Sequence, residues 1–233
     1  MKKFYLIFIF LVGQLHADIN VFIMAGQSNS SRMSSKILKS EIRKKFPHST
    51  LFKYDKEGSN LYQQWKGDGT NNIQNDGEIY KTFQTKWKLF VKKIQKKHPQ
   101  QTLNLQGLFW MQGEADGFGK KSSQYYYKNL KRFMQDLRVT LKHKNLPIII
   151  GRLSNQQTAV THLKTIQKAQ NKAGTLKNTA IANLNNIPCS DNLHFKNHYK
   201  QVAKRFVNAM HRLRRKRIRF LYPLKKYPSY IKK

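Results

Sequence analysis

The chain has 233 residues, 39% of them hydrophobic and 12% aromatic, enough apolar material for one packed domain and too much for global disorder. Its 45 Lys plus Arg against 11 Asp plus Glu give a formal charge of +34, far beyond what solubility requires. The lone cysteine, Cys189, excludes an intramolecular disulfide and a cysteine-based metal site, and reads as a small buried hydrophobe.

Lys2 and Lys3 precede an apolar run from Phe4 to Gly13, and Gln14-Leu15-His16-Ala17 follows. This is the grammar of an export signal covering residues 1–17, cleaved near Ala17. The run of about ten residues is too short for a bilayer span, which needs roughly 20, so the reading is a secreted or periplasmic protein. Ile19 to Ala25 is a short apolar strand stopped by Gly26, of the kind buried in parallel sheets. The serine-rich stretch Ser28 to Ser35 is a loop and helix entry, Lys36 to Phe46 a basic amphipathic helix, and Thr50 to Tyr54 a second strand.

From Asp55 to Gly77 the chain is rich in Gly, Asn, Asp and Gln without periodicity, which predicts a long functional loop. A helix follows from Glu78 to Lys97, with Phe83, Trp87, Phe90, Val91 and Ile94 on one face. Leu103 to Met111 is a strand that hands over to the polar cluster Gln112-Gly113-Glu114-Ala115-Asp116. The remaining expectations are a helix from Tyr125 to Lys142, a strand from Leu146 to Ile150, a helix from Ala159 to Ala173, a strand from Thr179 to Leu184 and a helix from Asn197 to Leu213. Residues 18–210 thus form one domain, and the basic tail 211–233, which lacks an amphipathic period, reads as a surface appendage. Alternating strands and helices predict a three-layer α/β/α domain around a central parallel sheet, joined by right-handed crossovers.

Ligand sites in such folds lie outside the carboxyl ends of the strands. Three polar clusters fall there: Gly26-Gln27-Ser28-Asn29, Gln112-Gly113-Glu114, and Asp191-Asn192-Leu193-His194. A serine hydroxyl becomes a nucleophile when a base removes its proton, and the base needs a carboxylate to fix its tautomer. Ser28, His194 and Asp191 supply these roles, the last two on one turn at i and i+3. Charge developing on the attacked carbonyl oxygen needs preorganised donors, for which the Ser28 N–H, the Gly77 N–H and the Gln112 side-chain amide are candidates. Each motif alone has a plainer reading: a helix cap for Gly-Gln-Ser-Asn and a surface pair for Asp-x-x-His. Trp110 and Met111 read as core.

The charge admits three explanations: nucleic-acid binding, attraction to acidic glycans or an anionic membrane or cell-wall surface, or a lysine-biased host. Export argues against nucleic acid. Two rivals to an esterase of small acyl groups stand beside it. One is a catalytically weak binding module whose basic face holds anionic glycan, membrane or nucleic acid; the other is a lipase or thioesterase, against which the polar long loop argues. Nothing in the sequence bears on oligomeric state.

The words Gly26-Gln27-Ser28-Asn29, Asp76-Gly77-Glu78, Trp110-Met111-Gln112-Gly113-Glu114-Ala115-Asp116 and Asp191-Asn192-Leu193-His194-Phe195 resemble the blocks of the SGNH hydrolases, and within them the sialate O-acetylesterase and acetylxylan esterase group of carbohydrate esterases. The third word is the most diagnostic, and no proline follows Gly77. The resemblance implies a flavodoxin-like fold, no metal or cofactor, and hydrolysis of acetyl esters on carbohydrate through an acyl-enzyme. It places Gln27, Asn29, Gly77, Gln112 and Gly113 around the oxyanion and substrate, and it implies either Asp191 or Glu114 as the group that orients His194.

Overall fold

In this computed structural model the structure describes residues 18–70 and 73–221, with side chains described as far as residue 216. The expected signal peptide lies outside the described residues. Five strands, β1 (Ile19–Gly26), β2 (Ser49–Asp55), β3 (Leu103–Met111), β4 (Ile148–Arg152) and β5 (Thr179–Asn183), form one sheet in the order β2-β1-β3-β4-β5. All neighbours are parallel, so every strand ends on the same edge.

Among the described residues seven α-helices accompany them: α1 (Ser28–Arg32), α2 (Ser35–Arg43), α3 (Glu78–Lys97), α4 (Glu114–Gly117), α5 (Lys120–Thr140), α6 (Leu163–Gly174) and, after β5, α7 (Tyr199–Leu221). Alternation along each strand decides which helix covers which face. Ile23 and Ala25 of β1, Leu108 and Trp110 of β3, and Ile148 and Ile150 of β4 meet Phe83 of α3, Phe133 of α5 and Ile166 of α6 in one apolar cluster. Their neighbours Phe22, Met24, Phe109, Met111 and Ile149 meet Leu38 and Ile42 of α2 and Phe206 and Met210 of α7 in the other. The result is the expected three-layer α/β/α arrangement, with α2 and α7 covering the second cluster.

Three local differences from the sequence expectation have physical causes. The polar cluster after β3 turns at once into the short helix α4 instead of staying a loop, closing its turn through the Gly117 N–H to the Gly113 carbonyl. Helix α5 starts at Lys120, ahead of the first apolar position: Lys120 and Lys121 are exposed, and the Ser122 hydroxyl donates to the Asp116 and Gly119 carbonyls at 2.8 and 3.1 Å. Helix α7 continues to Leu221, so the first part of the basic tail is helical; the rest of the tail lies outside the described residues.

The segment between β2 and α3 is irregular but anchored. Leu61 and Trp65 are fully buried, Trp65 packs edge-on against Trp110 at 5.2 Å, and its indole N–H donates to the Ser59 hydroxyl at 2.8 Å.

Candidate active site

Strand β1 delivers the nucleophile candidate through a tight crossing. A Cβ on Gly26 would lie 2.0 Å from the Met111 carbonyl oxygen, so only glycine allows the ends of β1 and β3 to approach this closely. The Gln27 N–H then donates to the same carbonyl at 3.1 Å, and Ser28 opens α1 with its N–H free of any intrahelical acceptor, as for every first-turn residue.

His194 reaches Ser28 from the loop after β5. Its Nε2 lies 3.1 Å from Ser28 Oγ and its Nδ1 lies 2.9 Å from Asp191 Oδ2. Asp191 Oδ1 accepts from the His194 and Leu193 backbone N–H groups at 2.6 and 3.2 Å, and Asn192 takes φ +57° to close this turn. The hydrogen bonds from His194 hold the Asp191 carboxyl well below the usual carboxylate range, so it faces the ring as an anion. Ser28 and His194 are nearly buried, at 7% and 8% exposure, while Asp191 sits at the rim.

Glu114 does not touch His194; it works one step behind it. Its Oε1 accepts from Asn29 Nδ2 at 2.7 Å and from Gln157 Nε2 at 3.0 Å, and both amides also donate to the Leu193 carbonyl at 3.0 Å. The peptide that immediately precedes His194 is thereby tied to the third polar cluster and to α1. Asn29 completes the knot by accepting from the Phe195 N–H at 3.3 Å and the Tyr199 hydroxyl at 3.0 Å. Asn29 and Glu114 are fully buried, so in this structure they brace the site and do not line it.

Gln27 Oε1 accepts from the Ala115 N–H at 3.2 Å, joining α1 to α4, and Gly113 is the residue that precedes α4. Two expected oxyanion donors are otherwise engaged. The Gly77 N–H donates to the Lys66 carbonyl at 2.7 Å, and Gly77 is a glycine because a Cβ there would meet the Gln63 and Gln64 carbonyls at 2.3 and 2.4 Å. Gln112 Nε2 donates to Asp116 Oδ2 at 2.6 Å and to the Ser59 carbonyl at 3.2 Å, which uses both of its hydrogens. Of the three donors expected from sequence, the Ser28 N–H alone is left without such a partner.

Sequence reasoning missed two residues. Gln157, in the loop after β4, had no motif around it; its only signal was a polar side chain near the carboxyl end of a strand. Asp116 was read as part of a motif, yet it organises the long loop, accepting from the Leu61 and Tyr62 N–H groups at 2.7 and 3.0 Å. Burial pushes its carboxyl up to about 6 against these hydrogen bonds. Burial also pushes the Cys189 thiol up to about 11; Cys189 is half-buried, less covered than the buried hydrophobe expected from the sequence.

Among the described residues one group of three carboxylates comes within metal-binding reach, Asp68, Asp76 and Asp136, whose ligand atoms lie within 4.8 Å of one another. Tyr80, Gln84 and backbone N–H groups already donate to them, and burial with repulsion from Asp136 pushes Asp76 up to about 6. None of the three contacts Ser28, His194 or Asp191.

A parallel sheet of this order between helical layers is a flavodoxin-like fold of the SGNH type, and here a serine, a histidine and an aspartate stand in series at its carboxyl edge. Within that class the chain belongs to the family described as carbohydrate esterase, sialic acid-specific acetylesterase, which matches residues 36–212. His194 and Asp191 lie inside the matched span and Ser28 just before it. No curated protein sequence matches the chain. Among solved structures it is similar to a protein from Arabidopsis thaliana, with TM-score 0.65 and 15% identity over 82% of this chain and 97% of the other. It is similar to a carbohydrate acetylesterase from Xanthomonas citri, with TM-score 0.61 and 15% identity over 83% of this chain and 56% of that longer one. It is also similar to NanS, with TM-score 0.59 and 13% identity over 85% and 98% of the two chains. At these identities the likeness carries the fold.

Proposed function

We propose that the chain is an exported serine esterase that removes O-acetyl groups from carbohydrate, an acetylated sialic acid or another acetylated glycan, through an acetyl-enzyme. The observation that supports this reading best is the unbroken series Ser28 Oγ, His194 Nε2, His194 Nδ1, Asp191 Oδ2, at 3.1 and 2.9 Å, on a family of carbohydrate esterases.

In this mechanism Ser28 Oγ attacks the acetyl carbonyl while His194 Nε2 takes the hydroxyl proton, and Asp191 stabilises the imidazolium from the other side. The Ser28 N–H faces the oxyanion. Collapse of the tetrahedral intermediate breaks the bond to the sugar oxygen, which leaves with the proton from His194. Water then gives a proton to His194 and attacks the acetyl-serine; acetate departs and the proton returns to Ser28. The reading of residues 1–17 as an export signal places this chemistry outside the cytoplasm.

Turnover of an aryl acetate by the wild-type chain, Ser28→Ala and His194→Ala tests the assignment. Each substitution lowers kcat on the order of 10⁴-fold, and an octanoate ester is turned over more slowly than the acetate. Near-normal rates in both variants would refute it.

A further inference from the structure

Helices α2 and α7 pack side by side over one face of the sheet, and both descend from the catalytic edge. Helix α2 follows Ser28 by way of α1, and α7 follows His194 by a single turn at Lys196–His198. Between them runs a groove of about 770 Å³ lined by Lys44 and Lys45 from the α2 end and by Asn197, Lys200, Gln201 and Lys204 from the α7 side. Asn197 stands three residues of chain beyond His194. Lys44 is shared with a second hollow along α2 that adds Lys36, Lys39 and Arg43, so positive charge continues along the outer side of the helix.

The charge in the groove is largely uncompensated. Glu41 is nearly buried on its floor and pairs with Lys44. Among the described residues, no carboxylate lies within ion-pair distance of Lys45, Lys200 or Lys204. Holding three ammonium groups on a concave surface is unfavourable through mutual repulsion, and an anionic ligand relieves it.

We propose that this groove docks an anionic polysaccharide chain, carrying the polymer along α2 and α7 with an acetylated residue held at Ser28; the link to Ser28 rests on the esterase reading above. Three features favour a polysaccharide. The lysines alternate with Asn197 and Gln201, whose amides donate to and accept from sugar hydroxyls. Among the described residues no aromatic side chain lines the groove, so these residues lack the stacking platforms that single-stranded nucleic acid uses. Among the described residues, none of the exposed large hydrophobic side chains, Ile73, Leu89, Phe118, Tyr125 and Val139, lies on α2 or α7, so the described part of this face offers no apolar anchor for a bilayer.

Binding is measured on the full chain carrying Ser28→Ala, against polygalacturonate at moderate salt. A triple variant, Lys45→Gln with Lys200→Gln and Lys204→Gln, weakens binding by about tenfold or more. A charge-matched variant on the exposed convex face of α3, Lys86→Gln with Lys92→Gln and Lys96→Gln, weakens it by less than about threefold, as does the groove variant toward duplex DNA or phosphatidylserine vesicles. The single variants Lys45→Gln and Lys200→Gln show partial losses at an unchanged melting temperature. Equal losses in the two triple variants, equal loss toward DNA or vesicles, or no binding of the polyuronate would overturn the proposal. Aryl acetate turnover by the wild-type chain decides the catalytic reading separately, so failure of one is told apart from failure of the other.

Discussion

Asp191 uses its two oxygens for different tasks. Oδ1 closes the turn by accepting the Leu193 and His194 N–H groups, and Oδ2 faces the imidazole. Glu114, by contrast, accepts from two amides and leaves Oε2 without a partner among the described residues. The two carboxylates therefore respond differently to neutralisation. Asp191→Asn puts an amide against His194 Nδ1 and favours the wrong tautomer, lowering kcat on an aryl acetate by about 10²- to 10⁴-fold. Glu114→Gln keeps an oxygen acceptor for Asn29 and Gln157 and changes kcat by less than about tenfold. The opposite ranking in steady-state kinetics would make Glu114 the group that orients the histidine. The short motifs held this much in advance, since Ser28, His194 and Asp191 each sat in a recognisable word. The fates of Gln112 and Gly77 were not legible, because spacing says that a donor is present and leaves open which acceptor captures it.

At the scale of elements, periodicity placed β3 and α3 with the bounds the structure gives, and the other strands within two residues at either end. It is silent on the tertiary contacts that hold an irregular segment in place. The segment from Lys56 to Gly77 has no period, yet Leu61 and Trp65 anchor it and the Asp116 carboxylate clamps its backbone from α4. This clamp gives a pH dependence with a definite sign. Asp116 titrates at about 6 in the folded chain because of burial, against about 3.9 in an unfolded one. Between those values the folded state keeps a proton that the unfolded chain has lost, so its contribution to stability falls as pH rises through the window. Asp116→Asn presents a neutral group at every pH. Its unfolding free energy relative to wild type therefore rises by about 2–3 kcal/mol between about pH 4 and pH 7. Urea denaturation at the two pH values reads this difference; a constant gap would show that Asp116 is ionised in the folded state throughout.

For the molecule as a whole, the formal charge of +34 left a nucleic-acid partner, an acidic glycan or anionic surface, and a lysine-biased host side by side. The sheet order sets α2 and α7 together on one face and gathers lysines scattered in the sequence along one groove. The same order brings together Ser28 and His194, 166 residues apart in the chain. Strand alternation made the layers legible from sequence, while the convergence of the loops had to be inferred from the rule that sites gather at carboxyl ends of parallel strands. Covalent capture of the serine reads that convergence at the residue itself. An alkyl fluorophosphonate incubated with the full chain is expected to leave one adduct per molecule, mapped by peptide mass spectrometry to Ser28 and lost in His194→Ala. An esterase-active chain that takes no label at Ser28, or takes it equally well without the His194 imidazole, would contradict the account.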